Sequence, residues 1–365
     1  MRAGAEVAWQ DRVRGSLLGG AIGDALGAPV EFESGPKIRK EHPQLLRTFV
    51  SGGSGWPPGT ITDDTQMTLF TIEGLIRASV RAHRGLGLTL APVHHAYDRW
   101  LDTQQHSAPT GERDGWLQGE QWLYARRAPG RTCLAALRGS RHGGPRITQY
   151  GVEVVNDSKG CGGVMRVAPF GLLPDSFETE WVFDSAATAA GYTHGHPSGK
   201  LASGALAAII HRICSGATLD AALDTAAELL TRHEGHEETS NALADARELA
   251  ALPPAHRPAT IEQLGGGWVA EEALAIPVYV SLIHQEPEQV LDALALAVTH
   301  SGDSDSTGAI CGNILGALHG EAALPTELAS TVEGRAVILQ LADDFVDEFS
   351  RTESRPGFAK RYPSS

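Results

Sequence analysis

The sequence predicts an all-α fold, a single compact orthogonal helical domain. Three observations carry that expectation. Apolar residues recur at helical spacing through most of the chain, and from Thr188 onward with little interruption. Strand patterns are few, residues 146–155 (RITQYGVEVV) being the best candidate. No Pro/Gly-rich linker is long enough to separate domains, although 365 residues allow either a pair of domains of about 150 or one large core.

Residues 1–11 are polar and read as an extension to a domain spanning 12–346. Its first element is RVRGSLLGGAIGDALGAPVEF, residues 12–32, where Gly15, Gly19, Gly23 and Gly27 recur every four positions. On a helix that spacing makes a bare ridge which a neighbouring backbone can approach closely. Each internal glycine costs about 1 kcal/mol against alanine, so the ridge needs a packing reason, and the segment reads as a central buried helix. Pro29 ends it, and Glu31 falls in the exit turn.

SGGSGWPPGT is loop. It leads into ITDDTQMTLFTIEGLIRASVRAH, where Met67, Leu69, Phe70, Ile72, Leu75, Ile76 and Val80 keep a helical period behind Thr and Asp caps. A helix is expected over 91–103, then a mixed polar stretch over 104–146 in which SRHGGPRI is loop. Beyond Thr188 the helical pattern runs through LASGALAAIIHRICSG, LDAALDTAAELLTRHEG, ETSNALADARELAAL, WVAEEALAIPVYVSLIHQ, EPEQVLDALALAVTH, STGAICGNILGALHG and TELASTVEGRAVILQLADDFVDEF. Residues 347–365 read as a polar, peripheral tail.

Composition narrows the function classes. Hydrophobic residues at 42% and charged ones at 20% exclude disorder as the overall state. No apolar run nears the roughly 20 residues of a bilayer span, and no secretory leader is expected from MRAGAEVAWQDRVRG. Cys133, Cys161, Cys214 and Cys311 form no CxxC, which points to a reducing cytoplasmic compartment without a structural zinc site. A net charge of −14 excludes binding along a nucleic-acid phosphate backbone and favours cations as guests.

Two acidic clusters carry candidate chemistry. Thr62, Asp63 and Asp64 sit between a Gly/Pro loop and a helix start; Gly302, Asp303, Ser304, Asp305 and Ser306 also enter a helix. Consecutive helical residues diverge by about 100°, so oxygens converge only in the irregular turn before the helix. Four carboxylates with hydroxyls and no Cys or His make a hard donor set, suited to Mg²⁺ or Mn²⁺ over zinc. If the clusters meet, their repulsion makes a dinuclear centre natural. Each alone reads equally well as an N-cap.

Two loops add to this. Gly160, Gly162 and Gly163 in NDSKGCGGVMR allow backbone N–H groups to face an anion, although a plain tight turn explains an isolated GxGG as well. Arg166 in that run either holds a carboxylate internally or meets ligand. In GYTHGHP, His194 stands on a loop, either as a site residue or as a surface or capping one.

GSLLGGAIGDALGAPVEF, GTITDDTQMT, SKGCGGVMRVAPFGL, GYTHGHPSG, GGGWVAEEALA and HSGDSDSTGAICGNILGA resemble, in this order, the motifs of the ADP-ribosylglycohydrolase family, over about residues 12 to 346. The resemblance implies an all-helical fold with two Mg²⁺ (or Mn²⁺) in a cleft. It implies hydrolysis of the N- or O-glycosidic bond at C1″ of ADP-ribose on an acceptor, most often an arginine side chain, releasing ADP-ribose. Carried over, Thr62, Asp63 and Asp64 match the first metal-ligand motif, and Asp303 and Asp305 the second. Ser306 stands where the family usually has threonine, which keeps the hydroxyl. Glu31 matches the acid that closes the first motif. Ser158, Gly160, Cys161, Gly162 and Gly163 match the loop contacting diphosphate and ribose, with Cys161 where several relatives carry asparagine. His194 matches a histidine near the ligand.

The candidate catalytic residues are therefore Glu31, Asp64 and Asp303, the acid/base being Glu31 or one of the aspartates. The expected partner is an ADP-ribosylated protein or small-molecule acceptor, with no membrane. Two alternatives stand beside this: a non-catalytic ADP-ribose-binding regulatory protein, and a hydrolase of another ribosyl or nucleoside conjugate.

Overall fold

A computed structural model of the chain describes residues 7–52, 55–110, 114–141, 154–253, 258–350 and 357–363. In chain order the helices are α1 (Trp9–Gly27), α2 (Gly35–Glu41), α3 (Asp63–His83), α4 (Ala91–Gln105), α5 (Arg131–Arg141), α6 (Ala168–Gly171), α7 (Thr179–Gly191) and α8 (Pro197–Cys214). They continue with α9 (Leu219–Leu230), α10 (Glu237–Ala251), α11 (Pro258–Ile261), α12 (Ala270–Ile283) and α13 (Val290–Ala297). The last are α14 (Ser304–His319), α15 (Thr326–Thr331), α16 (Arg335–Phe349) and α17 (Phe358–Arg361). Among the described residues no strand forms; an isolated antiparallel bridge joins Gly160 to Val269. The strand expected over 146–155 lies outside the described residues apart from Val154 and Val155, which are irregular.

The glycine ridge finds its packing reason in α14, against which α1 packs more extensively than any other pair of helices. The two run antiparallel. A Cβ at Gly15, Gly19, Gly23 or Gly27 would overlap the backbone at Gly316, Gly312, Gly308 or Ser304, and the converse holds for Gly308, Gly312 and Gly316. Two bare faces thus meet backbone to backbone, and dispersion over that close contact offsets the helix-propensity cost of the glycines. The seam carries the C-terminal end of α1, and Glu31 beyond it, to the N-terminal end of α14.

The other helices enclose this pair. α3 packs on α4 and α16, α8 on α7 and α9, and α12 lies against α10 and α14. α12 runs on through Pro277 and is buried along nearly its whole length. α2 and α5 arise where no helix was expected, and α7 starts well before Thr188. α5 and α7 carry short apolar faces, Cys133, Leu134 and Leu137 on the one and Val182, Phe183, Ala186 and Ala189 on the other, whereas the seven-residue α2 buries only Gly35 and Ile38 and depends on contact.

The peripheral tail expected at the C-terminus is corrected for 357–363. Phe358 and Tyr362 are buried, and Arg361 donates to both oxygens of the fully buried Asp344 at 2.7 Å. The four cysteines are free. Among the described residues no helix is long and apolar enough to cross a membrane.

Candidate active site

Where α1, α3 and α14 converge, a cavity of about 730 Å³ opens. One wall is acidic. Thr62 caps α3 by accepting the N–H of Asp64 at 3.3 Å, and Asp303 caps α14 by accepting the N–H of Ser306 at 3.3 Å. Capping and convergence therefore coexist: with the helix starts fixed, Asp63, Asp64, Asp303, Asp305 and Ser306 all line the cavity, and Glu31 joins them from the exit turn of α1. Carboxylate oxygens of Glu31, Asp303 and Asp305 lie within 4.8 Å of one another.

Asp24, which sequence reasoning passed over, builds this wall from behind. Fully buried on α1, it accepts from the N–H and hydroxyl of Thr62 at 3.0 and 2.8 Å, and from the N–H of Thr65 at 3.1 Å. It thereby ties the start of α3 to the glycine-ridge helix. The available signal was a carboxylate inside an otherwise apolar, glycine-rich helix, a position that demands a buried partner. Opposite, Gly302 at φ +152° lets the chain pass so close to Gly266 that the N–H of Asp303 donates to the Gly266 carbonyl at 2.8 Å.

The electrostatics follow from crowding. Burial, with Asp303, Asp63 and Asp24 nearby, pushes Glu31 from 4.5 to about 9. Burial raises Asp63, Asp64 and Asp305 well above the carboxylate range, reinforced by their mutual repulsion. Asp24 rises only to about 6, because the bonds from Thr65 and Thr62 oppose its burial. Within the protein, little compensates these charges. Asp64 Oδ2 is buried without a hydrogen-bond partner. An all-oxygen set with an orphaned buried carboxylate oxygen fits a hard divalent cation, whose charge would reverse those shifts.

The opposite wall is the glycine loop. Gly160, Cys161, Gly162 and His194 line the cavity; Ser158, Gly163 and Thr62 are not among its lining residues. Gly163 instead packs where a Cβ would press on Ala190, Gly199 and Ser203. The expectation that the loop offers its amides to an anion needs correction at Cys161, whose N–H goes to the Trp268 carbonyl at 3.2 Å. The Cys161 thiol donates to Asp303 Oδ2 at 2.8 Å, and burial beside that carboxylate raises it well above the usual thiol range. Among the described residues Arg166 holds no carboxylate, and it does not line the cavity. Fully buried, it donates to the carbonyls of Gly162 at 2.5 Å and Ala189 at 3.1 Å and to Thr193 Oγ1 at 2.8 Å.

The mouth was invisible in the sequence. Phe32, at φ +69°, stacks on Trp268 with centroids 5.2 Å apart, and both line the cavity with Arg126, Gly130, Arg131 and Thr132. Gly130 also donates its N–H to Asp63 at 3.2 Å.

The chain and its fold have counterparts among known proteins. The family described as ADP-ribosylglycohydrolase matches residues 5–355. The ADP-ribosyl-[dinitrogen reductase] glycohydrolase of Rhodospirillum rubrum is 25% identical over 332 residues, covering 88% of this chain and 90% of that protein. The ADP-ribosylarginine hydrolase Tri1 of Pseudomonas putida (strain GB-1) is 25% identical over 353 residues, covering 92% of this chain and 78% of that protein. A solved ADP-ribosylglycohydrolase-related protein complex superposes with a TM-score of 0.62 at 25% identity, covering 93% of this chain and 99% of that one.

Proposed function

We propose that this chain, which belongs to the ADP-ribosylglycohydrolase family, hydrolyses the glycosidic bond between ADP-ribose and an arginine side chain of a modified protein. The observation that carries the reading is the acidic wall: Glu31, Asp63, Asp64, Asp303 and Asp305 face one cavity, and an oxygen of Asp64 is left without a protein partner. The arginine acceptor rests on the likeness to the Pseudomonas putida hydrolase.

In this reading Asp63, Asp64, Asp303 and Asp305, with the hydroxyls of Thr62 and Ser306, hold two Mg²⁺ or Mn²⁺. When bound, such a pair orients the vicinal ribose hydroxyls and lowers the pKa of a bound water. Asp24 keeps Thr62 in place, since the Thr62 hydroxyl donates to Asp24 Oδ1 while accepting the N–H of Asp64, which leaves it one lone pair. Glu31, half-buried beside Asp303 and Asp305, takes the proton of the attacking water as the bond from C1″ to nitrogen breaks and the leaving guanidine keeps the electron pair. Gly160, Cys161, Gly162 and His194 border the ribose and diphosphate. Arg126 and Arg131 at the mouth supply positive charge for the diphosphate in a chain of net charge −14.

Incubation with a mono-ADP-ribosylated arginine peptide and Mn²⁺ should release free ADP-ribose. Release from a serine-linked conjugate alone would move the acceptor. Calorimetric binding of ADP-ribose with no turnover of any conjugate would replace the enzyme with a binding protein.

A further inference from the structure

His194 lies at the junction of the glycine loop and the cavity, and its ring is held from behind. Thr193 Oγ1 approaches His194 Nδ1 at 2.8 Å. The same oxygen accepts an N–H of Arg166 at 2.8 Å. Arg166 is a permanent donor, so the Thr193 oxygen is an acceptor in that bond and has one proton left to give. Its acceptors are His194 Nδ1 at 2.8 Å, the Ala190 carbonyl at 3.3 Å and the Cys133 sulfur, the last a weak acceptor. The Ala190 carbonyl already receives the backbone N–H groups of Thr193 and His194, each at 3.0 Å. Its lone pairs are taken, and the shorter bond, to Nδ1, receives the proton.

We infer that Arg166, acting through Thr193, fixes His194 as a neutral imidazole protonated on Nε2, so that this edge donates a hydrogen bond into the cavity. The inference rests on the functional reading above only for the identity of the ligand. Space for the donating edge comes from two glycines: a Cβ at Gly160 would lie 3.4 Å from His194 Nε2, and one at Gly162 would lie 3.1 Å from Cε1. Both glycines thus keep the loop clear of the imidazole. Arg166 secures the other side of the same loop through the Gly162 carbonyl, and its guanidinium is stacked 4.5 Å over the Tyr97 ring. Among the described residues no carboxylate neutralises it. Burial first, then the Arg166 charge, lowers His194 from 6.5 to about 3, in keeping with an imidazole that does not carry protons. Arg166 and Thr193 are positioning residues; His194 gives its N–H to an oxygen of the ligand, the diphosphate or ribose of ADP-ribose in the functional reading.

The test reads the tautomer directly. Long-range ¹H–¹⁵N spectra of the full-length protein labelled at the histidine rings, with His194 assigned by its loss in His194→Gln, should show a neutral ring protonated on Nε2 without any ligand. Thr193→Ser keeps the hydroxyl and should keep that signature. Thr193→Val should give mixed tautomers and bind ADP-ribose about tenfold more weakly in calorimetry, the worth of one directed hydrogen bond. A ring protonated on Nδ1, or a charged ring, in the ligand-free wild-type protein overturns the inference whether or not Thr193→Val folds. So does a Thr193→Val spectrum identical to wild type. An Nε2-protonated ring in a protein that does not bind ADP-ribose upholds the relay and overturns the functional reading instead.

Discussion

Asp64 lines the cavity and Lys159 precedes the glycine loop that borders it, and their surroundings differ. Lys159 Nζ is paired with Glu271 at 2.6 Å and Glu238 at 2.9 Å, and Arg166, behind the same loop, gives Nη donors to two carbonyls and Thr193 while its Nε keeps no hydrogen-bond partner. On the glycine-loop side, the charge of Lys159 is met by carboxylates of the protein. On the acidic side, Asp64 keeps an unpartnered buried oxygen among carboxylates raised by burial and by each other. Carboxylates crowded on one wall of a cavity, with an unpartnered oxygen among them, fit a cationic guest. Departures from internal satisfaction concentrate at functional sites.

The contrast breaks most completely if the seam that assembles the acidic wall is opened. Gly308→Leu forces a side chain into the Gly23 carbonyl, and should cost at least about 3 kcal/mol in chemical denaturation followed by circular dichroism. A variant as stable as wild type would mean that the two helices need not touch there.

Asp64→Asn should lower hydrolysis about 100-fold or more, yet leave the melting temperature of the metal-free protein unchanged or raised, since a repelling buried carboxylate is gone. A metal-free variant melting well below wild type would give Asp64 a structural role and blur the difference between the walls.

Titration sharpens the same contrast. Asp24 and Glu31 are raised in the folded protein, to about 6 and about 9, so between their ordinary and folded values the native state holds protons that the unfolded chain has released. Stability contributed by those protonated groups is therefore lost as pH rises through these values. In chelator, the melting temperature should fall by on the order of 5 °C as pH climbs from about 6 to about 9, and saturating Mn²⁺ should flatten the slope. A chelated protein that grows more stable over that range would contradict the crowding of the acids.

The smallest effect belongs to Lys159→Met. Its ion pairs are partly exposed, so stability should shift by less than about 1 kcal/mol in a denaturant melt. A loss of several kcal/mol, or a tenfold rise in KM, would show that the loop is held or the substrate met by this side chain.

Much of the framework is legible in residue order because its signals are local. The four-residue glycine period of α1 and the apolar period of α3 and α14 belong to single helices, and Thr62 and Asp303 announce helix starts by the capping chemistry they perform. What stayed hidden depends on partners distant in the chain. Asp24 is one residue in a helix until Thr62 and Thr65 reach it, and Arg166 looks like a ligand-binding cation until the Gly162 and Ala189 carbonyls take its donors. The mouth is more opaque still: Phe32 and Trp268 carry no signal separately and stack only because the α1 exit turn and the loop before α12 meet.

Spacing and side-chain chemistry alone thus settled that the chain is helical, that α1 offers a bare face, and that oxygen donors gather at two helix starts. Which of those oxygens share a cavity, and which charges are already answered, waited on the packing of α1 against α14 and of the 265–269 loop against Gly160. Periodicity acts through neighbours within a helical turn, whereas desolvation and mutual repulsion of carboxylates exist only once distant segments have excluded water between them.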